Sequence, residues 1–120
     1  MSDELRIEID LESSDLRAGD VLRGRVRLAS AGGTSARGVE LEVGWRTRGR
    51  GDTDEKQVHA ERLHGGDVPP GGLELDFAAP LPAVPWTYRG DVIKIEWWCR
   101  VRIDRALARD PRREAEFVVR

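Results

Sequence analysis

Two histidines, one cysteine and a few clustered carboxylates are the side chains here whose spacing decides whether covalent or metal chemistry is available. His59 and His64 lie five residues apart, so on a regular strand, where successive side chains alternate, they face opposite sides. Asp52, Asp54, Glu55 and Glu61 stand nearby. That is the raw material of a metal-dependent hydrolase, but the spacing matches no zinc or calcium pattern. Cys99 would need to be an accessible thiolate in an electropositive setting to act as a nucleophile. It shares phase with Trp97, Val101 and Ile103, which places the sulfur in the core. No catalytic residue, metal site or cofactor is therefore expected, and an enzyme is the weakest reading. Arg-Gly-Asp at 50–52 and 89–91 is what chance supplies in an arginine- and glycine-rich chain; the second copy marks a corner.

Tryptophan and arginine carry a better signal. In WTYRGDVIKIEWWCRVRID, residues 86–104, the adjacent Trp97 and Trp98 cannot both enter one core, because a strand sends neighbours to opposite faces. Trp97 is in phase with Ile93, Ile95, Cys99, Val101 and Ile103 and is predicted to be buried. Trp98 is in phase with Lys94, Glu96, Arg100 and Arg102 and is predicted on the charged face. Arg23, Arg25 and Arg27 project from one face of an earlier strand. If the two strands share a sheet, a basic stripe surrounds Trp98. Tryptophan and arginine are enriched where protein interfaces concentrate their binding energy, so Trp98, Arg100, Arg102, Arg23, Arg25 and Arg27 are the candidate protein-interaction residues. The alternative is a stripe that holds phosphorylated or other anionic ligands. Against both stands a purely structural account: arginine stems cover and stack on the Trp98 ring. The outward Glu4, Glu8, Glu40, Glu42 and Glu96 then pair with the guanidinium groups across strands.

These residues need strands to position them, and period-2 alternation supplies them. Leu5, Ile7, Ile9 and Leu11 alternate with Glu4, Arg6, Glu8 and Asp10. Leu22, Val26 and Leu28 alternate with the three arginines, with Gly24 at an inward position that suggests a bulge or a close backbone approach. Val39, Leu41, Val43, Trp45 and Thr47 oppose Glu40, Glu42, Arg46 and Arg48. A short edge strand is expected over 56–63, where Leu63 is out of phase. Leu73, Leu75 and Phe77 form the next strand, 92–104 the longest, and Ala115, Phe117 and Val119 the last. Glycine-, proline- and aspartate-rich turns separate them. At most one helical turn is expected, in RALARD, before Pro111 limits it. About seven such strands make an all-β chain, an antiparallel immunoglobulin-like β-sandwich.

With the strands placed, LRAGDVLRGRVRL, residues 16–28, resembles an early arrestin-fold pattern of a Gly-Asp loop leading into apolar-x-Gly-x-apolar-x-apolar. LPAVPWTYRGDVIKIEWWCRVRID resembles the same family's proline-rich approach, aromatic-x-Gly corner and long strand, with Pro85, Tyr88, Gly90, Ile95, Trp97 and Val101 in the matching places. The resemblance implies an arrestin-like sandwich, related to the domains of arrestins, of a retromer subunit and of bacterial sporulation-control proteins. Those relatives carry two sandwiches; this chain has room for one, over 1–120. The role implied is a non-enzymatic adaptor or scaffold module with a protein partner, in a larger bacterial assembly.

The bounds agree with that class. At 120 residues the chain is about one domain. Twenty basic and 22 acidic residues leave a net charge of −2, a poor electrostatic footprint for nucleic acid. A lone cysteine excludes an internal disulfide and favours a reducing compartment, so a cytoplasmic protein is expected. The start resembles no signal peptide and no window approaches the roughly 20 apolar residues that span a bilayer, leaving only peripheral membrane contact open. Homo-oligomerisation also stays open. The near-absence of lysine and the lack of asparagine suggest a GC-rich bacterial source.

Overall fold

The computed structural model describes residues 5–49, 51–106 and 108–120. Glu4, placed above on the first wet face, and Leu107, in the stretch where one helical turn was expected, lie outside the described residues. Among the described residues nine strands run in chain order: β1 Arg6–Leu11, β2 Asp15–Leu16, β3 Val21–Ala29, β4 Gly38–Arg48, β5 Thr53–Gly65, β6 Leu73–Pro80, β7 Tyr88–Arg89, β8 Lys94–Asp104 and β9 Arg112–Val119. Seven have six residues or more and correspond to the seven alternating runs; β2 and β7 are two-residue additions.

One sheet has the order β1-β3-β6 and the other β2-β9-β8-β4-β5, with β7 pairing the start of β8. All pairings are antiparallel except β2 with β9. Inward residues of both sheets meet in one core: Leu22, Val26 and Leu28 from β3, Val39, Leu41 and Val43 from β4, and Trp97, Cys99, Val101 and Ile103 from β8. Burying each large aliphatic or aromatic side chain contributes about 1.5–3 kcal/mol, so alternation alone accounts for the two layers. Gly24 sits where β1 comes closest. A Cβ there would lie 2.6 Å from the Asp10 carbonyl oxygen and 2.7 Å from the Phe77 ring.

The β5 strand departs from expectation. It spans thirteen residues rather than eight, because it pairs with all eleven residues of β4 and its register shifts twice on the way. Gln57 lies opposite Gly44 and His59 opposite Val43, leaving Val58 as an inserted residue; Leu63 is inserted in the same way between Arg62 and His64. A bulge turns two successive side chains to similar directions, which lets the out-of-phase Leu63 pack on the core as Val58 does. The insertion at Leu63, which lies between them, corrects the reading of the histidines. His59 and His64 lie opposite Val43 and Val39 and so share a face.

Candidate docking surface

Trp97 is fully buried, as its phase requires, and Trp98 is only 1% exposed although it points the other way. The reason lies on β4. Gly44 is the register partner of Trp98, and it leaves a gap in the outward row Glu40, Glu42, Arg46, Arg48 that the indole fills; a Cβ on Gly44 would sit 2.6 Å from Trp98 Cζ2. Arg100 then lies 4.3 Å from the ring centroid and Arg46 5.8 Å, both as cation–π partners. Glu114 on β9 ties the two together: Arg46 donates to its Oε1 at 2.6 Å and Arg100 Nε to its Oε2 at 2.9 Å. Glu55 on β5 closes the far side, 3.5 Å from Arg46 and 3.4 Å from Arg100. Burial pushes the Glu114 carboxyl up, but the hydrogen bonds from Arg100 and Arg46 outweigh it and hold the group below its ordinary value. Arg46 Nε and Trp98 Nε1 have no hydrogen-bond partner among the described residues.

The expected basic stripe does not form. Arg23, Arg25 and Arg27 belong to β3 in the three-stranded sheet and Arg100 and Arg102 to β8 in the other, so the two rows look out from opposite sides of the sandwich. Trp98 is approached by Arg46 and Arg100, not by any arginine of β3. Carboxylates answer most of these cations. Arg25 meets Asp76 at 2.8 Å, Arg27 meets Asp10 at 2.9 Å, and Arg102 meets Asp110 at 2.7 Å and Glu42 at 3.6 Å. Arg23 has no ion pair among the described residues. Glu40 pairs with Arg62 and Glu96 with Arg48.

The side chains with covalent or metal chemistry do not gather into one site among the described residues. His59 Nε2 lies 3.4 Å from Glu61 and His64 Nε2 donates to the Asp67 carbonyl at 2.9 Å. Among the described residues no three His, Cys, Asp or Glu side chains converge as metal ligands. Cys99 is buried, and burial raises its thiol to about 12.

A surface that strand phase did not single out lies in the segment before β8. Residues 84–88 form a ribbon fastened on its inner side: Trp97 Nε1 donates to the Pro85 carbonyl at 3.1 Å. The Thr87 amide donates to the Val119 carbonyl at 2.9 Å, and the Val119 amide returns to Thr87 Oγ1 at 2.9 Å. Pro85 and Thr87 are half-buried, whereas Val84, Trp86 and Tyr88 are exposed. The chain then reverses at Gly90, whose amide bonds the Ile93 carbonyl, and brings Val92 and Ile93 into the open. Tyr88 packs its ring against Gly90, where a Cβ would meet it at 2.7 Å. Val84, Trp86, Tyr88, Val92 and Ile93 are 44% to 70% exposed, and outside this segment the most exposed large hydrophobic among the described residues is Val21 at 37%. The i, i+2, i+4 spacing of Val84, Trp86 and Tyr88 was the available signal; the prolines around it made the stretch read as loop.

No family model matches the sequence, and no curated protein matches it. Solved structures do: Spo0M, the sporulation control protein of Bacillus subtilis, superposes on 99% of this chain with a TM-score of 0.79 at 17% sequence identity. The fold is arrestin-like. The chain spans half the length of Spo0M. No helix among the described residues is long and apolar enough to cross a membrane.

Proposed function

We propose that this arrestin-like sandwich is a non-enzymatic docking module, an adaptor or scaffold subunit of a cytoplasmic assembly, that meets its protein partner through the ribbon and turn over 84–93. The observation that carries this reading is the concentration of exposed apolar and aromatic side chains in that one segment. A contiguous apolar patch on an otherwise charged surface marks an interaction site, and tryptophan and tyrosine are the side chains that anchor interfaces. A rigid display favours the same use, because the ribbon is already held by Trp97, Thr87 and Val119 and loses little freedom on binding. Likeness of fold to a protein described as a sporulation control protein supports a regulatory rather than catalytic role by analogy. In this reading Trp98, Arg100 and Arg102, with Arg23, Arg25 and Arg27, brace the two outer faces rather than touch the partner.

The deciding experiment titrates Trp86→Ala with Tyr88→Ala against the polypeptide that the wild-type chain retains. Both side chains are more than half exposed, so the fold is expected to stay within about 0.5 kcal/mol of wild type. Binding is expected to weaken at least about 30-fold, the roughly 2 kcal/mol of a hot spot. Unchanged affinity in the folded variant would overturn the assignment of the ribbon.

A further inference from the structure

We infer that the occupant of this ribbon is a second copy of the same chain, docked about a twofold axis near Gly90. The inference rests on the docking reading of 84–93 and names its partner. A twofold contact sets residue i against j and j against i, so the patch must carry its own complement. This one does so in charge and in shape. Arg89 and Asp91 flank Gly90, are both exposed, carry opposite signs, and have no ion pair among the described residues. An axis near Gly90 places Arg89 of each copy against Asp91 of the other, closing two ion pairs beside the apolar contact. In shape, Trp86 forms one wall of a groove completed by Thr87, Arg89, Val118, Val119 and Arg120, so an exposed ring and a recess that can receive the ring of a second copy lie side by side. Five exposed side chains make a small patch beside the about 800 Å² per partner of a standard interface, which fits a dimer that dissociates on dilution. A net charge of −2 gives little self-repulsion. A membrane is the poorer occupant, since Arg89 and Lys94 are offset by Asp91 and the tip lacks the basic surround that anionic lipid attracts.

Sedimentation velocity on the purified chain reads the proposal directly. The wild type is expected to be a dimer at about 100 μM and to release monomer on dilution. Trp86→Arg and, as a second variant, Val92→Asp are each expected to sediment as folded monomers. Arg89→Asp should weaken the dimer and Arg89→Asp combined with Asp91→Arg should restore it, a rescue that only a twofold pairing of these residues produces. A dimer indifferent to Trp86→Arg and Val92→Asp, or a charge swap that fails to rescue, would overturn the proposal. A monomeric wild type would overturn it too, and a photo-crosslinker placed at position 86 then separates the cases. Cross-linking to a different protein leaves the docking reading standing, whereas transfer of a monomer to phosphatidylglycerol vesicles, or no cross-link at all, removes both.

Discussion

Trp98 occupies the wet face of a sheet yet is as hidden as a core residue, because Gly44 gives its ring a bed and Arg46 and Arg100 give it a cover. Trp97 is hidden by the opposite sheet and by Phe117, whose ring centroid lies 5.8 Å away. Both Trp97→Ala and Trp98→Ala are therefore expected to cost about 3–5 kcal/mol, read as shifts in denaturant midpoint. If Trp98→Ala stays within about 0.5 kcal/mol, the lid of arginines is not the packed layer described here. Cys99 makes a second residue-scale test. Burial holds its thiol near 12, so at pH 8 the folded protein carries almost no thiolate, and labelling by a thiol reagent should occur only through unfolding. Rapid labelling of a fraction equal to the whole protein under native conditions would show that the side chain is accessible. Strand phase announced the direction of each of these three side chains. It did not announce the cover over Trp98, which depends on residues of β4, β5 and β9.

The element that holds this face together is the row of contacts across β5, β4, β8 and β9, and Gly44 is its narrowest point. A Cβ there would strike both the Lys56 carbonyl oxygen and the Trp98 ring, so Gly44→Ala is expected to destabilise by about 1–3 kcal/mol through overpacking. Thermal melts decide it, and a neutral substitution would mean that β5 or the indole shifts freely. Glu114 adds a pH dependence. Its folded value lies below the ordinary 4.5, so the stability it contributes is present above pH 4.5 and is lost as pH falls through the folded value. Glu114→Gln should therefore be less stable than wild type at neutral pH, with the difference narrowing as the pH is taken below 4.5. A gap that stays constant on acidification would remove the carboxylate's charge from the account. Gly44 was visible in the sequence as a gap in the outward row of β4. The bulge at Leu63 was visible only as a break of phase and the one at Val58 not at all, because a bulge is a choice made against a neighbouring strand.

At the scale of the molecule, the two sheets close one core and, among the described residues, the exposed large apolar side chains other than Val21 gather in the segment 84–93. No cluster of metal ligands converges among the described residues, and a chelator is accordingly expected to leave the melting temperature unchanged; a large drop would point to a metal that the fold depends on. The display of 84–93 is a whole-molecule property as well. Trp97 sits in the core of one sheet, yet its indole N–H fastens the ribbon that carries Trp86. Trp97→Phe retains an aromatic filling but no N–H donor. It is expected to loosen residues 84–88, seen as faster amide exchange at Thr87, before it unfolds the sandwich; equal protection in both proteins would mean that Thr87 and Val119 suffice to hold the ribbon.

Alternation of apolar and charged residues, readable along the chain without any partner, determined the all-β class, the seven main strands, the burial of Trp97 and Cys99 and the outward aim of Trp98. The order of strands in the sheets was beyond its reach, because alternation says which face a side chain takes and not which strand lies beside it. That order separated β3 from β8, placed Arg23, Arg25 and Arg27 on the far side from Arg100 and Arg102, and put Gly44 beneath Trp98. The two motifs that resemble arrestins carried the fold, since a glycine corner and an aromatic strand are local features. The exposed ribbon was settled only by tertiary structure: its inner side is fastened by Trp97 and Val119 from distant parts of the chain, and Val84, Trp86 and Tyr88 are left exposed.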